Sequence, residues 1–173
     1  MKKFELFPTP VWHIDGASQS LVDVLYDGAY KCRDSIECVN QSNEEGYHSP
    51  YFEWNQFHPE GIEYIESILL QVTKEKCKVV NWWYNINTKG AWNIPHVHIG
   101  YDLALVFYLT DSDNKLSLVD PFPNRRITYN QHYQNYDSKK GDIIIFPSDI
   151  VHFVRSNDKE EDRICISMNI KIL

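Results

Sequence analysis

No CxxC pair occurs among the four cysteines, Cys32, Cys38, Cys77 and Cys165. So few, so scattered, they exclude the disulfide framework of a small secreted domain. We read them as reduced thiols of a cytoplasmic chain, with Cys165 facing inward. No apolar run approaches the length of a membrane span, and the opening "MKKFELFPTPVWHID" lacks the apolar segment of a signal peptide. Cations are outnumbered, 17 Lys and Arg against 24 Asp and Glu, for a net charge of −7. Nucleic-acid binders usually carry a basic face, so neither nucleic acid nor membrane is an expected partner, although a local basic pocket can oppose the net charge. There is no internal repeat and no low-complexity tract. What the chain has in quantity is aromatic side chains, 5 Trp, 11 Tyr and 8 Phe in 173 residues, enough to stiffen a sheet and line a pocket. The length fits one domain with a substantial core.

Two helices precede a long run of strands. "KFELFPTPVWHI" alternates but carries prolines, which predicts an edge strand. "SQSLVDVLYDGAYKCRD" predicts a helix with Ser18 or Ser20 as N-cap and a stripe of Leu21, Val24, Leu25, Ala29 and Cys32. The stretch from Glu37 to Phe57 is polar, aromatic and irregular. "PEGIEYIESILLQVTKEKC" predicts a second helix, with Pro59 in its first turn and Ile62, Ile65, Leu69 and Val72 on one face. Beyond Cys77 come "KVVNWWYNI", "YDLALVFYLT", "KLSLVD", "ITYNQHYQNY", "DIIIFP", "VHFVRS" and "RICISMNIKI", short, β-branched and aromatic, separated by turn residues. Segregated helices and strands give an α+β class, here a jelly roll over 79–173 preceded by an N-terminal strand and two buttressing helices over 1–78.

The chemistry concentrates in "HVHIG". In an extended strand, residues two apart point the same way, so His96 and His98 project together, about 6 to 7 Å apart at the backbone. His152 opens another strand after "GDIIIFPSD". Arg163 then heads a strand whose alternate residues Arg163, Cys165, Ser167 and Asn169 share one face. An arginine directed into a barrel is costly unless an anion meets it, and its planar fork suits a carboxylate. Imidazoles together with one inward arginine are what a metal site with an anionic, chelating co-substrate needs.

On these blocks the chain resembles the 2-oxoglutarate/Fe(II)-dependent oxygenases, in particular the prolyl-4-hydroxylase-like branch with its small bacterial and bacteriophage members. The resemblance spans roughly residues 46 to 173, through "EEGYHSP", "NWWYNINTKGAWNIPHVH", "LALVFYLT", "GDIIIFPSDIVHFV" and "RICISMNI". It implies a double-stranded β-helix core, Fe(II), 2-oxoglutarate and O2 as cofactor and co-substrates, and hydroxylation of an unactivated C–H in a peptide side chain, prolyl by analogy, or in an amino-acid-like small molecule. His96 matches the first ligand of the family's His-x-Asp/Glu pair and His152 its distal histidine. Arg163 matches the residue that grips the far carboxylate of 2-oxoglutarate, and Tyr108 a tyrosine that often shares it. Ser167 and Asn169 would lie deeper in that pocket. His98 departs from the pattern, standing where the family has a carboxylate. Three readings follow: a three-histidine metal face, an outer-shell His98 with water or an anion in the carboxylate's place, or Asp102 bending in at Gly100. The last needs a kink, because a straight strand would put Asp102 about 13 Å from His98.

Asn85 and Asn93 flank the first ligand and are candidates to orient it or, for Asn85, to bind co-substrate; turn and edge roles are the alternative. His13, His48, His58 and His132 are read as non-ligands, with His48 near the substrate mouth. Arg125 and Arg126 read as a solvated pair in the 120–140 link, a candidate lid. Two other function classes fit less of the pattern: a three-histidine iron dioxygenase that chelates its substrate without 2-oxoglutarate, and a jelly-roll binding module. Whether the protein is a monomer or a homodimer is not legible in the sequence.

Overall fold

A computed structural model describes residues 8–122 and 132–173. The chain starts at a sheet edge with β1 (Trp12–Ile14), which pairs antiparallel with β10 (Ile143–Pro147). Helix α1 (Gln19–Ser35) follows, capped by Ser18, whose Oγ accepts from the Leu21 backbone N–H at 3.3 Å. Its buried stripe is Leu21, Val22, Leu25, Ala29 and Cys32, whereas Val24 is half exposed. At 100° per residue Val22 lies about 65° from the centre of the arc of Leu21, Leu25, Ala29 and Cys32 and Val24 about 95°, so Val22 rather than the expected Val24 completes the stripe.

The irregular stretch holds three two-residue strands, β2 (Asn43–Glu44), β3 (Tyr47–His48) and β4 (Phe52–Glu53), and a 3-10 turn, Trp54–Gln56. Helix α2 (Pro59–Thr73) stops before the expected Cys77, because Lys74 adopts a left-handed conformation (φ 61°) and its N–H closes on the Leu70 carbonyl. Ile65, Ile68 and Leu69 are buried and Ile62 and Val72 half-buried.

Among the described residues eight further strands follow, changing sheet at every step except from β8 to β9: β5 (Cys77–Asn87), β6 (Trp92–His96), β7 (Leu103–Tyr108), β8 (Ser112–Val119), β9 (Tyr133–Ser138), β10, β11 (His152–Val154) and β12 (Arg163–Ile172). One sheet runs β1-β10-β7-β12-β5-β3, with β4 also on β5; the other runs β2-β6-β11-β8-β9, and every pairing is antiparallel. This two-sheet arrangement is a jelly roll. One residue set, Ile164, Ile166, Met168 and Ile170 of β12, joins buried residues of both helices in the larger core cluster. A second cluster between the sheets takes Val106, Tyr108 and Cys165 from one and Leu116, Leu118 and Val154 from the other. Each fully buried aliphatic side chain contributes ~1.5–3 kcal/mol relative to exposure, which makes this double packing the main source of rigidity behind the site.

An extended strand was expected at His96 and His98, but β-propensity did not mark out β6, which ends at His96. It contains Pro95, which lacks an amide donor, and its pairing with β11 slips between His152↔His96 and Val154↔Asn93, a bulge that accommodates the proline. Of the 120–140 link, β9 pairs with β8; residues 123–131, with Arg125 and Arg126, lie outside the described residues.

Candidate metal and co-substrate site

Strand pairing creates the first half of the site. His96 ends β6 and His152 begins β11, and the two are register partners, with ring centroids 4.2 Å apart. His98 arrives differently from expectation. It lies beyond the end of β6, where its N–H donates to the Ser148 carbonyl at 2.8 Å, just before a turn in which Gly100 has φ 88°. Its ring is 4.9 Å from that of His152 and 5.4 Å from that of His96. The candidate ligand nitrogens of all three lie within 4.8 Å of one another.

The Nδ1 atom of each ring faces an oxygen: the Ile94 carbonyl at 2.7 Å for His96, the Ile150 carbonyl at 2.9 Å for His152 and Asn169 Oδ1 at 2.6 Å for His98. Carbonyl oxygens only accept, so each Nδ1 carries the proton and each Nε2 keeps a free lone pair. Burial reinforces the neutral form. It lowers the pKa of His96, takes His98 down to about 4 with help from His96, and takes His152 down to about 3 with help from both neighbours.

A pH dependence follows. In the unfolded chain these imidazoles titrate near 6.5, so below that pH the unfolded state binds protons that the folded state refuses. Stability then falls as pH falls, by up to about 1.4 kcal/mol per pH unit for each group until its folded pKa is reached. The melting temperature of metal-free protein is expected to drop between pH 7 and pH 5, and to drop less in His152→Gln. A flat profile would contradict the neutral, buried trio.

No carboxylate joins the trio among the described residues. The chain does turn at Gly100, but Asp102 goes elsewhere: its Oδ2 accepts from the Ile172 N–H at 2.9 Å and its Oδ1 is 3.6 Å from Lys171 Nζ. The expected alternative of Asp102 bending in is therefore corrected. That carboxylate ties down the end of β12.

Behind the histidines runs a cavity lined by Asn85, Asn93, Val106, Cys165, Ser167 and Arg163, among others. Arg163 is 4% exposed. Its Nε donates to Ser112 Oγ at 3.0 Å, and its guanidinium carbon is 5.3 Å from the Tyr108 ring centroid. Among the described residues no carboxylate pairs with it. The Tyr108 hydroxyl is fully buried and makes no hydrogen bond of good geometry, Arg163 and Ser138 interacting with it only loosely. Asn85 donates through Nδ2 to Ser167 Oγ at 3.0 Å, leaving its Oδ1 buried and unsatisfied. Reversing that amide would let Oδ1 accept from the Ser167 hydroxyl and turn the N–H2 donor toward an anion. A buried cation without a counter-charge, beside spare donors, fits a carboxylate. Asn93 instead accepts from Asn87 Nδ2 at 2.9 Å and donates to Ser42, a structural role.

In front of the trio opens a second cavity of about 340 Å³, lined by His48, Tyr51, Trp83, Ile99, Tyr101 and neighbours. His48 stacks on Trp83 at 5.5 Å, Tyr51 meets both edge-on, and Trp83 touches His98. The sequence placed His48 at this mouth but gave no sign of the stack, which depends on β3 pairing with β5.

Residues 81–169, the stretch that carries all three histidines and Arg163, match the family described as "Putative 2OG-Fe(II) oxygenase". This chain belongs to that family. The oxygenase is thus an enzyme of a superfamily dependent on Fe(II), 2-oxoglutarate and O2. No curated protein matches it in sequence. Among solved structures, a prolyl-4-hydroxylase from Pseudomonas putida is similar at a TM-score of 0.71 and 10% identity, over 95% of this chain and 94% of that one. The viral collagen prolyl hydroxylase of Paramecium Bursaria Chlorella virus-1, in its 2-oxoglutarate complex, gives 0.65 and 17%, over 94% and 96%. HygX from Streptomyces hygroscopicus, with nickel and 2-oxoglutarate bound, gives 0.68 and 12%, over 95% and 83%. At such identities these likenesses speak for the fold. No helix among the described residues of the oxygenase is long and apolar enough to cross a membrane.

Proposed function

We propose that the oxygenase holds Fe(II) through the Nε2 atoms of His96, His98 and His152, and anchors the far carboxylate of 2-oxoglutarate on Arg163 and Tyr108. Asn85 and Ser167 complete the co-substrate pocket. The substrate is a peptide side chain, prolyl by analogy with two of the similar structures, or an amino-acid-like small molecule, received in the aromatic cavity beside His48, Tyr51 and Trp83. The supporting observation is the conjunction of three imidazoles, each with its Nδ1 proton occupied, and one buried, uncompensated arginine on the same cavity.

Each part of the chain then has a task. Three neutral imidazoles contribute no negative charge, so the metal keeps its full charge and favours a dianionic co-substrate more than a site with a carboxylate ligand would. Histidine is a competent ligand for iron. When bound, iron would activate O2 as the oxidant, with 2-oxoglutarate giving two of its four electrons and the unactivated C–H bond the other two. Arg163 and Tyr108 fix the orientation of the co-substrate, and the inter-sheet core keeps bulk water from its far end. The two helices buttress the sheet that carries Arg163, so its position does not depend on loop geometry.

Anaerobic titration of metal-free protein with Fe(II), then 2-oxoglutarate, tests this assignment. A weak visible metal-to-ligand charge-transfer band is expected on the second addition. Iron binding without a band would favour direct chelation of substrate by a three-histidine site; no iron binding would overturn the metal assignment.

A further inference from the structure

His98 differs from its two partners in what holds it. His96 and His152 each donate from Nδ1 to a backbone carbonyl two residues earlier in the chain, Ile94 within β6 and Ile150 in the turn before β11, and no side-chain substitution can remove those acceptors. His98 is past the end of β6 and has no such carbonyl. Its Nδ1 donates instead to a side chain on another strand, Asn169 Oδ1 at 2.6 Å.

An amide has two ends, and only one of them accepts. Were the Asn169 amide reversed, its N–H2 would face His98 Nδ1, force the lone pair there and put the proton on Nε2, where no metal can then bind. A second amide fixes its orientation. Asn169 Nδ2 donates to Asn81 Oδ1 at 2.8 Å, and Asn81 Nδ2 reaches the Tyr101 hydroxyl at 3.4 Å. Asn81 and Asn169 are register partners of β5 and β12, and Asn169 is 4% exposed, so water does not readily substitute for either bond.

We propose that Asn169, oriented by Asn81, is a positioning residue that selects the Nδ1–H tautomer of His98 and so makes its Nε2 a metal donor. The inference rests on the assignment of His98 as a ligand. It accounts for how a histidine outside a strand serves in the position where the family resemblance led us to expect a carboxylate. A histidine needs a tautomer-fixing acceptor behind it, which a carboxylate ligand does not.

The test uses the full chain and Co(II), with affinity measured by competition against a chromogenic chelator. Loss of such an outer partner costs about 10- to 100-fold in metal affinity, and this is expected for Asn169→Ala. Asn169→Asp restores an acceptor that needs no orienting by Asn81 and is expected to rescue affinity. Long-range 1H–15N spectra of the metal-free wild type supply a readout independent of metal, and His98 is expected as the Nδ1–H tautomer. Unchanged Co(II) affinity in Asn169→Ala, alongside weakened binding in His98→Ala, overturns the positioning role alone. Unchanged affinity in His98→Ala overturns the ligand assignment on which it rests. An Nε2–H tautomer in the wild type overturns the proposal even if Asn169→Ala fails to fold.

Discussion

Arg163→Met is expected to bind Fe(II) like the wild type and to lose 2-oxoglutarate. Removing one partner of a buried, hydrogen-bonded charge pair costs about 2–5 kcal/mol, which is roughly a 30-fold to several-thousandfold rise in Kd. The charge-transfer band should vanish at co-substrate concentrations that saturate the wild type. The sign of the stability change makes the prediction specific. In the free protein this guanidinium is buried with a serine, a thiol and an aromatic ring for company and, among the described residues, no carboxylate. Replacing an uncompensated buried cation by an apolar side chain of similar length removes a desolvation cost. Metal-free Arg163→Met should therefore melt no lower than the wild type, while losing the stabilisation that 2-oxoglutarate gives. A large fall in melting temperature together with unchanged 2-oxoglutarate binding would make Arg163 a structural residue.

The second large effect belongs to His152. Its ring lies nearer to those of His96 and His98 than they lie to each other, so it links the trio. In His152→Ala the metal affinity should fall by more than the ~100-fold that marks the upper range for an outer-shell change, and turnover should be lost with it. Thermal melts supply a readout without substrate. Metal at 100 times its Kd stabilises a folded protein by about 2.7 kcal/mol, so Ni(II) or Fe(II) should raise the melting temperature of the wild type and leave that of His152→Ala unmoved. A metal-induced shift that survives in the variant would place the ion elsewhere.

How much of this was legible in the sequence depends on the range of the interaction concerned. The alternation of "RICISMNIKI" assigns Arg163, Cys165, Ser167 and Asn169 to one face and Ile164, Ile166, Met168 and Ile170 to the other, because side-chain direction in a strand has a period of two whatever the strand pairs with. Asn169, expected deeper in the co-substrate pocket, instead lines the front cavity against His98. A serine cap at position 18 or 20, the two helices and the three histidines were likewise readable from local pattern, and the structure chose Ser18.

Other features needed the partner strand. Pro95 hides β6 from any propensity argument, and its bulge makes sense only against β11. His98 was placed beside His96 on the assumption of a continuous strand; it reaches the trio from beyond the strand's end, held by Ser148 and Asn169. Asp102 was in reach by sequence distance and is diverted by the end of β12. By itself the sequence determined which side chains carry the chemistry and which face of each strand they occupy, since those follow from residue type and backbone period. Only the tertiary structure decided the tautomers and, among the described residues, the missing counter-charge of Arg163 and the absence of a carboxylate from the trio, because each depends on which atoms distant segments bring within hydrogen-bonding range.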